Sequence, residues 1–215
     1  MKDTYRHKGL RKALVEEVRA KGISDERVLE AMMRVPRHLF MDTSFVKYAY
    51  KDQAFPIGCG QTISQPYTVA FQTQLLDVKR HNKVLEVGTG SGYQAAILIE
   101  MGAKVYTIER QRELYLKTQS FLPSIGYTAN FFYGDGYEGQ ESYGPFDRIL
   151  VTAGANYVPE KLKAQLKMEG IMVVPIGDNN SQIMTRIVRK SEDGFIKTEH
   201  GRFVFVPLLK GKSMS

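Results

Sequence analysis

The residues with the clearest chemical use lie at 84–93, Val-Leu-Glu-Val-Gly-Thr-Gly-Ser-Gly-Tyr. An apolar, β-branched run ends there, and Gly88, Gly90 and Gly92 follow at alternate positions. Strand, glycine turn and helix in that order bring a nucleotide-like ligand against bare main chain at a strand end. A Cβ at the turn would hold the ligand off the backbone. A dinucleotide fingerprint places glycines first, third and sixth, whereas the sixth position here is Tyr93. Glu109 lies 21 positions after Gly88, at the end of the next expected strand. A carboxylate there can accept both hydroxyls of a ribose. Asp135, in Gly134-Asp135-Gly136, follows the third strand. It is placed to accept an adenine amino group between residues small enough to admit the ring, and it also fits a plain turn aspartate. Glu86, inside the glycine motif, reads as a partly buried acid that accepts amides of the glycine turn or sits beside the ligand.

These groups need a scaffold, and the hydrophobic pattern supplies one. Tyr5 to Lys21 carries Leu10, Leu14 and Val18 at helical spacing, closed by Gly22. Ser24 is the expected N-cap of a second helix, with Asp25 and Glu26 in its first turn and Pro36 at its end. Residues 51–66 lose all periodicity and carry two prolines and two glycines, yet keep Phe55, Ile57 and Ile63 as apolar anchors. An ordered functional loop is expected there. A helix from Tyr67 to Asp77 follows. Strands are then expected at Lys83–Val87, Lys104–Ile108, Asn130–Tyr133, Phe146–Thr152 and Gly170–Pro175. Helices at Tyr93–Met101, Arg112–Leu122 and Val158–Leu166 alternate with them. Such alternation makes an α/β fold, a mostly parallel sheet with helices on both faces. Gln182–Arg189 and Phe195–Val206, joined through Asp193-Gly194, are expected to run antiparallel at one edge. The organisation read from this is one domain over 1–215: a helical region at 1–50, the loop at 51–66 and a Rossmann-like core at 67–215.

Composition narrows the class. A chain of 215 residues with 43% hydrophobic and 25% charged residues can bury a full core. No apolar run approaches the roughly 20 residues that span a bilayer, and the basic N-terminus lacks the apolar stretch of a signal peptide. Cys59 is the single cysteine, which excludes an internal disulfide and fits a reducing cytoplasm. The net charge of +7 comes from lysines and arginines spread from Lys2 to Lys212, without a dense block or an aromatic-interleaved pattern. No nucleic-acid partner and no membrane partner are expected. His7, His38, His81 and His200 show no metal-ligand spacing, so no metal is expected.

The glycine motif resembles the first motif of the class I S-adenosylmethionine-dependent methyltransferases. The segment Ala-Phe-Pro-Ile-Gly-Cys-Gly-Gln-Thr-Ile-Ser-Gln-Pro-Tyr (54–67) is more specific and resembles the signature of the protein-L-isoaspartate O-methyltransferases. Val-Pro-Arg-His-Leu-Phe (35–40), Gly-Asp-Gly-Tyr (134–137), Phe-Asp-Arg-Ile-Leu-Val-Thr-Ala (146–153) and Phe-Val-Pro-Leu (205–208) agree in kind and order. The resemblance implies a Rossmann-like fold and transfer of a methyl group from S-adenosyl-L-methionine. The acceptor would be the free α-carboxylate of an L-isoaspartyl residue in a damaged protein or peptide. The ester then closes to a succinimide, which reopens partly to aspartate. A carboxylate is already ionised at neutral pH, with a reference pKa of about 4, so no general base is required.

Residue by residue, the resemblance implies that Ser64 is the active-site serine and orients the substrate through its hydroxyl. A helix N-cap is the other role its position allows. Thr62 and Ile63 would line the space between cofactor and peptide, and Val206 would lie near the isoaspartyl residue. Thr89, Ser91 and Gly136 join Glu86, Gly88, Gly90, Glu109 and Asp135 as the expected cofactor residues. A monomer is expected. Amino-group methylation of nucleic-acid bases is a rival activity, but its Asn/Asp-Pro-Pro-aromatic motif is replaced here by Val-Thr-Ala-Gly-Ala-Asn (151–156). A binding module that keeps the pocket and has lost activity is a second rival, against which the intact Ser64, Glu109 and Asp135 stand.

Overall fold

Short runs from Lys83 onward, such as Val84-Leu85 and Ile149-Leu150-Val151, place apolar side chains at successive positions, which suits strands covered on both faces. In the computed structural model, which describes residues 2–178 and 180–214, they form a seven-stranded sheet. Its strands are β3 (Lys83–Val87), β4 (Lys104–Glu109), β5 (Asn130–Tyr133), β6 (Phe146–Val151), β7 (Leu166–Gly177), β8 (Gln182–Arg189) and β9 (Phe195–Phe203). The order is β5-β4-β3-β6-β7-β8-β9. The first four pairings are parallel, and β7/β8 and β8/β9 are antiparallel, so the expected hairpin does form one edge. The chain reverses direction of growth at β3, and the crevice above β3, β4 and β6 is the natural ligand position of such a sheet.

Alternate side chains build the two faces. Val84, Leu150, Ile171 and Val173 pack toward α3 (Pro66–Leu76) and α4 (Tyr93–Glu100). Leu85, Val87, Ile149, Val151, Met172 and Val174 pack to the other side with Leu162 of the short α6 (Glu160–Ala164). A third cluster ties α1 (Tyr5–Ala20) and α2 (Glu26–Arg34) to Tyr93 and Ile97 of α4 and to Leu114 and Leu122 of α5 (Arg112–Ser124). The N-terminal helices thus brace the glycine-turn helix from behind.

Four expectations change. The buried stripe of α1 is Leu14, Val15 and Val18 with Arg11, while Leu10 is exposed. The N-cap of α2 is Asp25, whose side chain accepts the Arg27 N–H at 3.0 Å; Ser24 instead donates its main-chain N–H to Gln74 Oε1. The segment at 51–66 is not all loop. It holds a small antiparallel hairpin, β1 (Phe55–Gly58) and β2 (Gln61–Ile63), turned through Cys59 and Gly60. Both turn residues have positive φ, 51° and 67°, which is the pattern of a tight two-residue hairpin connection. Helix α6 is shorter than expected because β7 already begins at Leu166.

Candidate active site

The parallel strands deliver their C-terminal ends to one cleft. Its floor is the turn after β3 with Glu109 of β4 and Gly136 beyond β5. Thr152 and Ala153 follow β6 at one side. Residues 61–64 and 206–209 close over it. The second of these segments leaves the sheet edge after β9 and is pinned back. Gly154 N–H donates to Val206 O (2.9 Å), Leu208 N–H to Gly154 O (2.7 Å) and Phe205 N–H to Gln182 Oε1 (2.8 Å).

The glycines of the turn prove to serve different needs. Gly88 has φ 100°, and a Cβ on it would lie 2.4 Å from Thr152 Oγ1, so it lets β6 close against the turn. Gly92 has φ 82°, and its Cβ would meet Leu122 Cδ1 at 2.0 Å, which makes it a packing glycine between α4 and α5. Gly90 has its main chain in the cleft, and its carbonyl is fixed by Thr118 Oγ1 at 2.6 Å. Ser91 lines the cleft as well, and its hydroxyl accepts the Tyr93 N–H at 3.3 Å. Gly88 and Gly90 thus line the cleft, whereas Gly92 lies outside it in the helix packing.

The acids divide their roles. Glu109 is 5% exposed, lines the cleft, and accepts Gly90 N–H at Oε2 (2.9 Å) and Gln111 N–H at Oε1 (2.8 Å). Two amides fix the carboxylate, and its remaining lone pairs stay available to a ligand. Glu86 does not accept a glycine-turn amide. It is fully buried beneath the floor, where Thr107 Oγ1 donates to it at 2.6 Å and Thr89 Oγ1 lies 2.6 Å from the same threonine hydroxyl. Burial, with the Glu109 charge adding to it, raises its pKa to about 8 against the lowering hydrogen bond from Thr107, so it is mainly protonated at neutral pH. Asp135 lies beside the cleft. Its Oδ1 accepts Tyr137 N–H at 2.9 Å, the turn role, and its Oδ2 accepts Gly211 N–H at 2.6 Å, which anchors the C-terminal segment. Gly136 itself reaches the cleft, packed so close to β3 that a Cβ would sit 2.4 Å from Val87 Cγ1.

A second cleft, walled by Tyr67, Phe203 and Phe205, opens on the outer side and meets the first at Thr62, Ser64, Thr152 and Val206. Three of these four are the residues expected at the substrate; Ile63, between Thr62 and Ser64, is buried and borders only the inner cleft. Thr152 was not anticipated. Its hydroxyl bonds to Val87 O (2.9 Å) and Gly88 O (2.8 Å), whereas the Ser64 hydroxyl has no partner among the described residues. Ser64 does not cap a helix: α3 starts at Pro66 with Gln65 at the cap position. The cap is Asp52, whose Oδ1 accepts Tyr67 N–H at 2.7 Å, while Oδ2 accepts from Gln65 Nε2 (2.9 Å) and Lys21 Nζ (2.6 Å). Nothing in the sequence signals a cap fifteen residues away. Arg37, within the 35–40 segment, donates to the Ser64 main-chain carbonyl at 2.8 Å.

Cys59 is no nucleophile in this arrangement. Burial, then Glu113, to whose carboxylate its thiol donates, pushes the thiol pKa up. The histidines are less scattered than their spacing suggests. His7 and His38 stack with ring centres 3.9 Å apart, and their nitrogens and the Asp3 carboxylate lie within 4.8 Å of one another. Arg11 already holds both Asp3 oxygens and the Tyr50 hydroxyl, and Tyr50 in turn bonds His38 Nδ1 at 2.7 Å. The Asp3 carboxylate is thus already paired with the Arg11 guanidinium.

A model of the family described as Protein-L-isoaspartate(D-aspartate) O-methyltransferase (PCMT) matches residues 9–213. The chain is 59% identical over 214 residues to the protein-L-isoaspartate O-methyltransferase of Christiangramia forsetii, covering 99% of this chain and 100% of that one. It is 58% identical over 214 residues to the Flavobacterium psychrophilum protein of the same name, with 99% and 100% covered. A solved beta-aspartate methyltransferase from Plasmodium falciparum, in complex with S-adenosyl-L-homocysteine, superposes with a TM-score of 0.79 at 27% identity. That superposition covers 93% of this chain and 98% of that one. A solved protein-L-isoaspartate O-methyltransferase gives a TM-score of 0.83 at 27% identity over 92% of this chain and 65% of that longer one.

Proposed function

The chain belongs to the protein-L-isoaspartate(D-aspartate) O-methyltransferase family, and from that membership and the geometry of the joined clefts we infer that it methylates the free α-carboxylate of L-isoaspartyl residues. The methyl donor is S-adenosyl-L-methionine, which supplies a methyl group activated on a positively charged sulfur. The inner cleft fits that molecule. Glu109 offers preset acceptor lone pairs for a ribose diol, and Gly136, flush against Val87, leaves room for a flat ring. Gly88, Thr89, Gly90 and Ser91 present main chain, and Asp135 has lone pairs beyond those given to Tyr137 and Gly211. Glu86 serves from below, through Thr107 and Thr89.

The single observation that carries the reading is the seam. Ser64 lies where the two clefts meet, with a hydroxyl that no neighbour among the described residues engages. An extended peptide in the outer cleft brings a carboxylate to that hydroxyl, with Thr62 and Val206 on either side. The acceptor is anionic at neutral pH, so the protein has no proton to remove. What remains is to hold an in-line approach and to keep out water, which would stabilise the separated charges. The main-chain nitrogen of the following residue then attacks the ester carbonyl, and the C–O bond breaks with loss of methanol to give a succinimide.

Ser64→Ala tests the assignment. Turnover of an isoaspartyl peptide falls by about tenfold, the effect of one lost hydrogen bond to a charged group, while S-adenosyl-L-homocysteine still binds. Full activity would remove the serine from the mechanism. We further read the chain as one domain acting as a monomer in the cytoplasm, on proteins and peptides and not on nucleic acid. No helix among the described residues is long and apolar enough to cross a membrane.

A further inference from the structure

Arg37 is 0% exposed, the largest fully buried side chain among the described residues, and no carboxylate there forms an ion pair with it. It opens the short 3-10 turn Arg37–Phe40 after Pro36. Its Nη2 donates to Ser64 O at 2.8 Å and to Gln53 O at 3.3 Å. The guanidinium lies 4.7 Å from the centre of the Tyr93 ring. Nε and Nη1 have no hydrogen-bond partner among the described residues. The Asp52 carboxylate acts on the guanidinium only from beyond ion-pair distance, and burying a cation without an ion-pair partner is unfavourable; an apolar side chain of similar size commonly packs such a site as well or better. A stability role alone therefore does not account for this residue.

Its contacts do. One planar group joins both ends of the 53–64 segment to Tyr93, the first residue of the glycine-turn helix and itself a wall of the inner cleft. The atoms that hold the donor and the residue that faces the acceptor are thereby tied through a single rigid fork. Lysine cannot reproduce this, because an ammonium that reached both carbonyls would lack the planar face that lies over the Tyr93 ring. We propose that Arg37 is a positioning residue for methyl transfer, setting the Ser64 main chain against the glycine turn so that the acceptor approaches in line. The proposal rests on the reading of Ser64 as the residue that orients the acceptor.

The test is a double-mutant cycle on Arg37→Met and Ser64→Ala, read by kcat and KM on an isoaspartyl peptide, with S-adenosyl-L-homocysteine affinity measured alongside. In the wild-type background Arg37→Met lowers kcat by about tenfold, the same loss that removal of the Ser64 hydroxyl brings, and product affinity stays within about threefold. In the Ser64→Ala background the same substitution costs less than about threefold, because the two residues act as one unit. An unchanged kcat for Arg37→Met overturns the proposal, and so does an equal loss in both backgrounds, which is the mark of a general structural role. Should Arg37→Met not fold, Arg37→Lys carries the test: it keeps the charge, loses the planar group over Tyr93, and lowers kcat by about fivefold to tenfold at unchanged product affinity. Wild-type kcat in that variant likewise overturns the proposal. Full activity of Ser64→Ala alone would instead sink the serine reading, a separate failure visible before the cycle is closed.

Discussion

The main-chain N–H of Gly90 donates to Glu109 Oε2 at 2.9 Å, so the glycine turn of one strand and the acid ending the next are locked together before any ligand arrives. The acid is also held by Gln111 N–H at 2.8 Å, and only its outward lone pairs remain for a ribose. Preorganisation of this kind means that little ordering accompanies binding. Glu109→Ala is expected to weaken S-adenosyl-L-homocysteine binding by roughly ten- to a hundredfold, the equivalent of one or two hydrogen bonds to a charged group. Calorimetry checks this, and unchanged affinity would remove the ribose assignment.

Glu86 gives a pH dependence with a definite sign. Its folded pKa of about 8 lies above the ordinary 4.5. Between those values the unfolded chain releases the proton and the folded chain keeps it, so this residue lowers stability as pH rises from about 4.5 to about 8. Below that window it contributes no difference, and above it the loss is complete, amounting to at most a few kcal/mol. Glu86→Gln is expected to gain on the wild type steadily across that window in urea denaturation. Parallel stability curves for the two proteins would contradict the buried, protonated carboxyl.

Gly92→Ala separates packing from ligand contact. The added methyl meets Leu122, itself fully buried, and the backbone is left-handed there. Overpacking and the conformational penalty together cost about 2–4 kcal/mol. Gly211→Ala, also left-handed but with nothing within 4 Å of its Cβ, is expected to cost only about 1 kcal/mol. Equal midpoints for the two variants in denaturant would refute the packing role.

Asp52 caps α3 from outside the helix and pairs with Lys21. Asp52→Ala is expected to lower stability by about 1–2 kcal/mol, the loss of a cap. It is also expected to reduce peptide turnover more than cofactor affinity, because the same carboxylate holds Gln65 next to Ser64. A variant with wild-type turnover would detach the cap from the site.

Much of this was legible in the chain because the relevant signals are local. The glycine spacing, the acid at Glu109 and the alternation of strands with helices each depend on a few neighbouring residues, and a mostly parallel sheet with an antiparallel edge follows; the strand order did not. What was not legible depends on distance in sequence. Asp52 caps a helix through a loop, Arg37 reaches Ser64 from 27 positions away, and the hydroxyl of Thr152 closes on Gly88. Glu86 read as an acceptor of the glycine-turn amides, but Glu109 takes the Gly90 amide and Glu86 rests on Thr107, a choice set by contacts across strands. The hairpin at 55–63 was hidden because a cysteine occupies a left-handed turn position where glycine or asparagine is the usual cue.

The central claim is that an isoaspartyl α-carboxylate is the methyl acceptor. Two synthetic peptides, identical except for an isoaspartyl or a normal aspartyl linkage, are incubated with the purified protein and methyl-labelled S-adenosyl-L-methionine, and base-labile label is counted. Label in the isoaspartyl peptide and none in its aspartyl twin is the expected result. Equal labelling of both peptides, or label in neither, would contradict the account.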